Sequence, residues 1–339
     1  MQNQKYLLPI GFYDLLGDEA KINQETIDIL LNSFYAAGYH LIKTPLVEFE
    51  ESLIGNANCW QKIDDQSFKM VDNFSGKTLV LRSDITPQIA RLMATKLQNI
   101  YKDLTPIRLC YVGDVLKIKN DNLYADRQLT QVGIELIGES ISKNYTQDSG
   151  QNSRQDFCAA NLEVVDLTIL ALRKIKLSNL MINFCCPQFL NILLSELKID
   201  DKNLQVAIAK KNISAIKDLG GKYSDDLIKL VLENNDFVKI ISIISALPIG
   251  EAVLLQLSKW QKTIENVQKN HCADDDKIKF SIDIFGDEEF SYHNQIGFTI
   301  FANNFSYPIA RGGRYLINQD IPAVGSTIYI NNLRKILTK

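Results

Sequence analysis

The sequence predicts an α+β fold: an antiparallel sheet flanked by helices, with a helical segment inserted into it. Three observations predict it. Residues 108–138 read as two strand-like runs, RLCYVGDVLKIKN and LTQVGIELIG, around the polar stretch DNLYADRQ, the pattern of a hairpin with a long connection. From residue 278 the strand signal returns in KIKFSIDIF, IGFTIFA, PIARGGRY and PAVGSTIYINNL. Between these, residues 187–270 carry only helical periodicity, in segments such as FLNILLSEL, DDLIKLVLE and EAVLLQLSKWQKTIENVQ, with breaks at Gly220-Gly221 and Pro248-Ile249-Gly250. The expected division is a discontinuous core of residues 1–186 and 278–339 and a helical insertion of residues 187–277.

In chain order, residues 8–20 form a turn-rich lead-in, with Asp18 placed to cap a helix ahead of Glu19. Ile27, Leu30, Leu31 and Phe34 recur at helical spacing, and Gly38 closes that helix. In YHLIKTPLVEFEESL, Pro45 interrupts a strand-like run, which suits an edge or a bend. Residues 56–77 are polar, with a strand expected at 67–72. TLVLRSDITPQIARLMATKL then turns from strand to helix. Thr86 can cap, Pro87 suits the first helical position, and Ile89, Leu92, Met93 and Leu97 form the apolar stripe. Asp84 sits where the strand ends and the helix opens, either as a further cap or as a ligand contact. Residues 140–157 read as a solvated loop. Leu162, Val165, Ile169 and Leu172 mark a helix, and LMINFC a strand. Gly312-Gly313 lies between two arginines, either as a turn between strands or as backbone that lets a ligand come close.

Bulk properties exclude several classes. The chain has 339 residues, enough for a large core and for two structural units. A net charge of −3 argues against a general nucleic-acid binder, which shows a basic surplus. The cysteines, Cys59, Cys110, Cys158, Cys185, Cys186 and Cys272, form no C-x-x-C pair, and three histidines supply no zinc spacing. Asp274-Asp275-Asp276 reads as a solvated loop, since no further ligand spacing accompanies it. The N-terminus lacks an apolar signal region and no run reaches membrane-span length. The expectation is a reduced, cytoplasmic protein with no metal, no cofactor and no membrane contact.

One strand carries the candidate site. Side chains alternate across a strand, so Gln131, Gly133 and Glu135 share one face of LTQVGIELIG, and Val132, Ile134 and Leu136 the other. The apolar face belongs against a core. The opposite face offers an amide, bare backbone and a carboxylate, its ends about 13 Å apart. A small ligand can lie on such a face, its cationic amino group held by Glu135 and Gln131. A half-buried strand with a solvated polar face shows the same alternation.

LVLRSDITPQIARL, QVGIELIG, ARGGRY and PAVGSTIYINNL, in this order, resemble the catalytic core of class II histidyl-tRNA synthetases. They are more similar still to the non-synthetase relatives of that family, the ATP phosphoribosyltransferase regulatory subunits of histidine biosynthesis. The lead-in LPIGFYDLLGDEA matches as well. The resemblance covers most of residues 6–180 and 278–335, and implies a class II aminoacyl-tRNA synthetase-like sheet. It further implies a free-histidine site. Asp84, Gln131 and Glu135 fall on positions that hold the ligand's ammonium group. Tyr292, His293 and Tyr315 fall on those that enclose the imidazole, with Thr86 nearby.

The departures from the family pattern favour a regulator over a synthetase. At the motif-2 pattern F-R-x-E stand Leu116, Lys117, Ile118 and Lys119. Lys117 keeps the positive charge toward a ligand carboxylate but loses the planar fork of an arginine. The motif-3 ATP-binding arginine falls on Asn332, and the preceding glutamate on Asn331. The R-G-L-D-Y-Y segment falls on Glu288 to His293, so Glu288 replaces an arginine. Adenylate formation depends on positive charge aimed where negative charge develops. The sequence printed here also stops at Lys339, and the expectation is no anticodon-binding domain and no tRNA.

The resemblance therefore implies a non-catalytic chain with no catalytic residues of its own. It would bind histidine and act on a short-form ATP phosphoribosyltransferase catalytic subunit. It also implies a homodimer, built on the residue 18–50 helix and the Pro45 strand, inside a larger hetero-oligomer. The competing reading is a truncated synthetase-like enzyme that still activates an amino acid with ATP. A third is a histidine-binding module with a different partner.

Overall fold

The strands are β1 (His40–Ile42), β2 (Val47–Phe49), β3 (Lys69–Val71), β4 (Thr78–Leu81), β5 (Ile107–Leu116), β6 (Gln128–Ile137), β7 (Leu180–Cys185), β8 (Lys279–Asp283), β9 (Gly297–Ala302), β10 (Pro308–Ile317) and β11 (Ile321–Tyr329). Eight of them form one sheet in the order β1-β5-β6-β11-β10-β9-β7-β8, and β2-β4-β3 form a small second sheet. The computed structural model describes residues 7–53, 65–101, 106–118, 126–138, 156–271, 278–285, 296–318 and 321–338.

The inner pairings of the large sheet are antiparallel, as expected, but both edges are parallel: β1 with β5 and β7 with β8. The sheet is therefore mixed, because its outermost strands arrive by helical or cross-sheet connections instead of hairpins. Pro45 falls between β1 and β2, where the chain leaves one sheet for the other. A residue without an N–H costs nothing at such a change of sheet.

The α-helices longer than three residues are α1 (Gly17–Ala36), α2 (Glu50–Leu53), α3 (Thr86–Leu92), α4 (Asp156–Lys174), α5 (Phe189–Glu196), α6 (Lys202–Ala209), α7 (Ile213–Leu219), α8 (Ser224–Leu232), α9 (Phe237–Ser245), α10 (Glu251–His271) and α11 (Ile330–Leu337). α1 begins at Gly17 with no side-chain cap, so Asp18 lies in the first turn and acts through its charge. Gly38 ends this helix with φ +83°, a conformation that favours glycine, and its N–H donates to the Tyr35 carbonyl. α3 runs on through a π-helical turn, Met93–Leu97. Residues 187–271 supply α5 to α10, whose apolar faces join the same cluster as the sheet.

The large sheet has two buried faces. Val132, Ile134 and Leu136 pack on one, with Leu30 and Phe34 of α1, Val165 and Ile169 of α4 and Leu333 of α11. On the other, Leu109, Tyr111, Ile137 and Tyr315 pack beneath Ile85, Ile89 of α3 and Met93 of the π-helical turn that follows it. The face that carries Gln131 and Glu135 is thus roofed by α3 and not solvated. Among the described residues no helix is long and apolar enough to cross a membrane.

Candidate functional site

Glu135 lies at the centre of the second face, 1% exposed. Its Oε1 accepts a hydrogen bond from the Thr86 hydroxyl at 3.1 Å, and its Oε2 one from the Tyr315 hydroxyl at 2.9 Å. Register explains the meeting. Glu135 stands directly opposite Gly325 of β11, and Gly325 opposite Gly313 of β10. A Cβ at Gly325 would overlap both carboxylate oxygens of Glu135. Gly313 in turn faces Gly297 of β9. Three glycines, Gly325, Gly313 and Gly297, therefore stand side by side on adjacent strands next to Glu135, about 10 Å from the first to the last. The Gly312-Gly313 pair is mid-strand, not a turn.

The turn from β4 into α3 closes the site from above. Asp84 accepts the Thr86 N–H at 3.0 Å through Oδ1, so it caps the helix with one oxygen. The Ile85 N–H donates to Gln131 Oε1 at 3.3 Å. Thr86 is the first residue of α3, and its hydroxyl is spent on Glu135 instead of on a cap. Asp84, Thr86, Gln131, Glu135 and Tyr315 are therefore one connected cluster. Lys117 stands near enough to Asp84 to act on its ionisation. Tyr292 and His293 lie outside the described residues.

The bare backbone at Gly133 is not the ligand bed that its place between Gln131 and Glu135 suggested. Tyr111, its partner on β5, lays its phenol over it, and a Cβ at Gly133 would overlap the ring. The Tyr111 hydroxyl bonds Thr327 Oγ1 at 2.8 Å, which fixes the ring there. Period-2 alternation in RLCYVGD held the signal for Tyr111, since it shares a face with Leu109 and Gly113. Pairing it with Gly133 requires the hairpin register.

Burial pushes the Glu135 carboxyl up to about 8; Asp84 adds to this, while the Tyr315 and Thr86 hydroxyls oppose it. Burial raises Asp84 as well, against the Thr86 N–H and Lys117. Tyr315 and Tyr111 are raised well above the ordinary phenol by burial, with the nearby carboxyls adding to it, so both remain hydroxyl donors. A buried carboxyl with a second, half-buried one acting on it favours a cationic group placed between them, because its charge stabilises the ionised form that burial penalises. No group of metal-ligating side chains is present among the described residues.

The positions aligned with nucleotide-binding groups do other work here. Asn331 accepts the Thr130 N–H at 2.8 Å and donates to Asp126 Oδ2 at 2.7 Å. Lys335 meets the same carboxylate at 2.9 Å. Asn332 donates to the Pro308 carbonyl at 2.8 Å. These contacts tie α11 to β6 and β10, and neither asparagine brings a positive charge.

The family model of histidyl-tRNA synthetase matches residues 11–148 and 153–333. An ATP phosphoribosyltransferase regulatory subunit from Rhodospirillum rubrum is 30% identical over 337 residues, covering 96% of this chain and 80% of the relative. The chain belongs to the histidyl-tRNA synthetase-like family of ATP phosphoribosyltransferase regulatory subunits. Another member, from Paramagnetospirillum magneticum, is 29% identical over 330 residues, covering 96% of this chain and 80% of its own. Both relatives are named as regulatory subunits, and the asparagines at 331 and 332 bring no positive charge of the kind adenylate chemistry needs. Among solved structures, an ATP phosphoribosyltransferase regulatory subunit/histidyl-tRNA synthetase from Bacillus halodurans shares the fold with a TM-score of 0.78 at 23% identity, covering 100% of this chain and 85% of that one. A chain of the ATP phosphoribosyl transferase (HisG:HisZ) complex from Thermotoga maritima matches with a TM-score of 0.63 at 16% identity, covering 91% of this chain and 97% of that one.

Proposed function

We propose that this chain binds free histidine between Asp84, Gln131 and Glu135 and regulates a short-form ATP phosphoribosyltransferase catalytic subunit, activating it and carrying end-product inhibition to it. The observation that carries the ligand reading is the buried Glu135 carboxyl, with the half-buried Asp84 acting on it and the buried Gln131 amide on the same face, at the head of the glycine row Gly325, Gly313 and Gly297. The ammonium group lies toward Asp84, Gln131 and Glu135 and the ligand carboxylate toward Lys117. Tyr315 lies toward the imidazole, to which the family resemblance also assigns Tyr292 and His293. The family and the fold shared with a chain of the transferase complex support the partner. Histidine regulates only by binding two states of the assembly unequally.

A homodimer through α1 and the β1–β2 bend completes the proposal, supported by the exposed apolar side chains Ile29, Tyr35, Leu41 and Leu46 on those elements. The buried thiols of Cys110, Cys185 and Cys186, none of them in a disulfide, suit the cytoplasm.

The test mixes the purified chain with a candidate catalytic chain. It follows phosphoribosyl transfer with and without this protein and with added histidine, and pyrophosphate exchange by this chain alone. Stimulated transfer that histidine suppresses, with no exchange, is the expected result. Exchange by the isolated chain would sink the regulatory reading in favour of an amino-acid-activating enzyme.

A further inference from the structure

Arg82 is buried, 6% exposed, and lies two residues before Asp84 and four before Thr86. Among the described residues none of its hydrogen bonds goes to a carboxylate. Nε donates to the Asp114 carbonyl at 2.7 Å. Nη1 donates to the Thr44 carbonyl at 3.0 Å, the Thr44 hydroxyl at 2.8 Å and Gln88 Oε1 at 3.2 Å, with the Pro45 carbonyl at 3.4 Å. Gly113 makes room for it, since a Cβ there would overlap Nη2. Gly113 is also the register partner of Gln131, so the guanidinium lies on the site face one strand from that amide.

The main chain of Arg82 bridges as well. Its N–H donates to the Leu46 carbonyl at 3.1 Å and its carbonyl accepts the Leu116 N–H at 2.9 Å, next to Lys117. Gln88, fully buried on α3, donates to the Pro45 carbonyl at 2.7 Å and to Glu48 Oε1 at 2.8 Å, and accepts the Thr44 hydroxyl at 2.6 Å. One side chain thus joins the bend between the two sheets, the end of β5 and the first turn of α3. The residues between those anchors are the ones that carry Asp84, the Ile85 N–H and Thr86.

We infer that Arg82 is a positioning residue: it holds the β4-to-α3 turn at the height over the sheet where Asp84 and Thr86 meet Gln131 and Glu135. A rigid fork with donors in two directions does this, and a single ammonium does not. The inference rests on the proposed histidine site for its effect on ligand, but not for its effect on the turn.

The experiment uses the full chain with Arg82→Lys and with Thr44→Val, which removes only the two hydrogen bonds of the Thr44 hydroxyl. Amide exchange is followed by peptide, and calorimetric titration uses L-histidine and imidazole propionate, its analogue without the ammonium group. The expected result is faster exchange confined to the peptide over residues 83–89, with β10 and β11 unchanged. Histidine affinity falls about tenfold in Arg82→Lys and less in Thr44→Val, while the analogue is unaffected. Unchanged exchange at residues 83–89, or a uniform acceleration over the whole chain in both variants, would overturn the inference. A wild-type chain that binds no histidine would count against the histidine reading alone, and the exchange result would still decide the role of Arg82.

Discussion

The Tyr315 hydroxyl reaches Glu135 Oε2 at 2.9 Å by crossing over β11, the strand that separates them. It does so where Gly325 leaves the intervening strand bare. The bond holds the carboxylate still before any ligand arrives. It also makes the geometry of the site depend on a residue with no functional group.

Gly325→Ala should displace the Glu135 carboxylate, since the new methyl occupies its place. The far end of a glutamate can move, so the chain should fold, with a loss of about 1–3 kcal/mol. Histidine affinity should fall with it. Thermal unfolding and calorimetric titration of the variant measure both, and an alanine that leaves affinity intact would show that the Tyr315 bond does not set the site.

The pH dependence of stability follows from Glu135. Its folded pKa of about 8 lies above the ordinary 4.5, so between these values the native state holds a proton that the unfolded state has released. Stability from this group is fully present at the acid end and is lost as pH rises toward 8. Glu135→Gln should therefore gain stability relative to the parent across that window. Melting curves of the two chains at a series of pH values give the difference, and a flat difference contradicts the burial argument.

The same proton should leave when ligand binds. A cation beside Glu135 draws its pKa down, so histidine binding at about pH 7 should release protons from the parent chain and fewer from Glu135→Gln. Titrations in two buffers of different ionisation heat count them.

Gln131→Ala should weaken histidine binding and also cost about 1–3 kcal/mol of stability, because it strands the buried Ile85 N–H. Glu135→Ala should weaken binding without stranding a backbone group. Denaturant unfolding separates the two variants.

The opposite face of the sheet supplies the control. Arg108 and Glu163 form a two-armed ion pair at 2.7 and 2.9 Å, joined by the Tyr39 hydroxyl at 3.1 Å. Glu163→Ala should cost about 1–3 kcal/mol, yet leave histidine affinity at the parent value. A coupled loss of affinity would mean that the two faces communicate through β5.

Alternation along LTQVGIELIG was enough to place Glu135 and Gln131 on one face and Val132, Ile134 and Leu136 on the other, because a strand's two-residue period is a local property of the backbone. The strand-to-helix turn at Asp84 and the family likeness were readable for the same reason: each lies in a short contiguous run. What sits above that face was not local. The roof of α3, the phenol of Tyr111 over Gly133, the reach of Tyr315 across Gly325 and the guanidinium of Arg82 over Gly113 all depend on register between strands distant in sequence. Alternation left open whether the Glu135 face meets water or protein, and only the tertiary packing decided it, because burial is a property of neighbours that the chain brings together by folding.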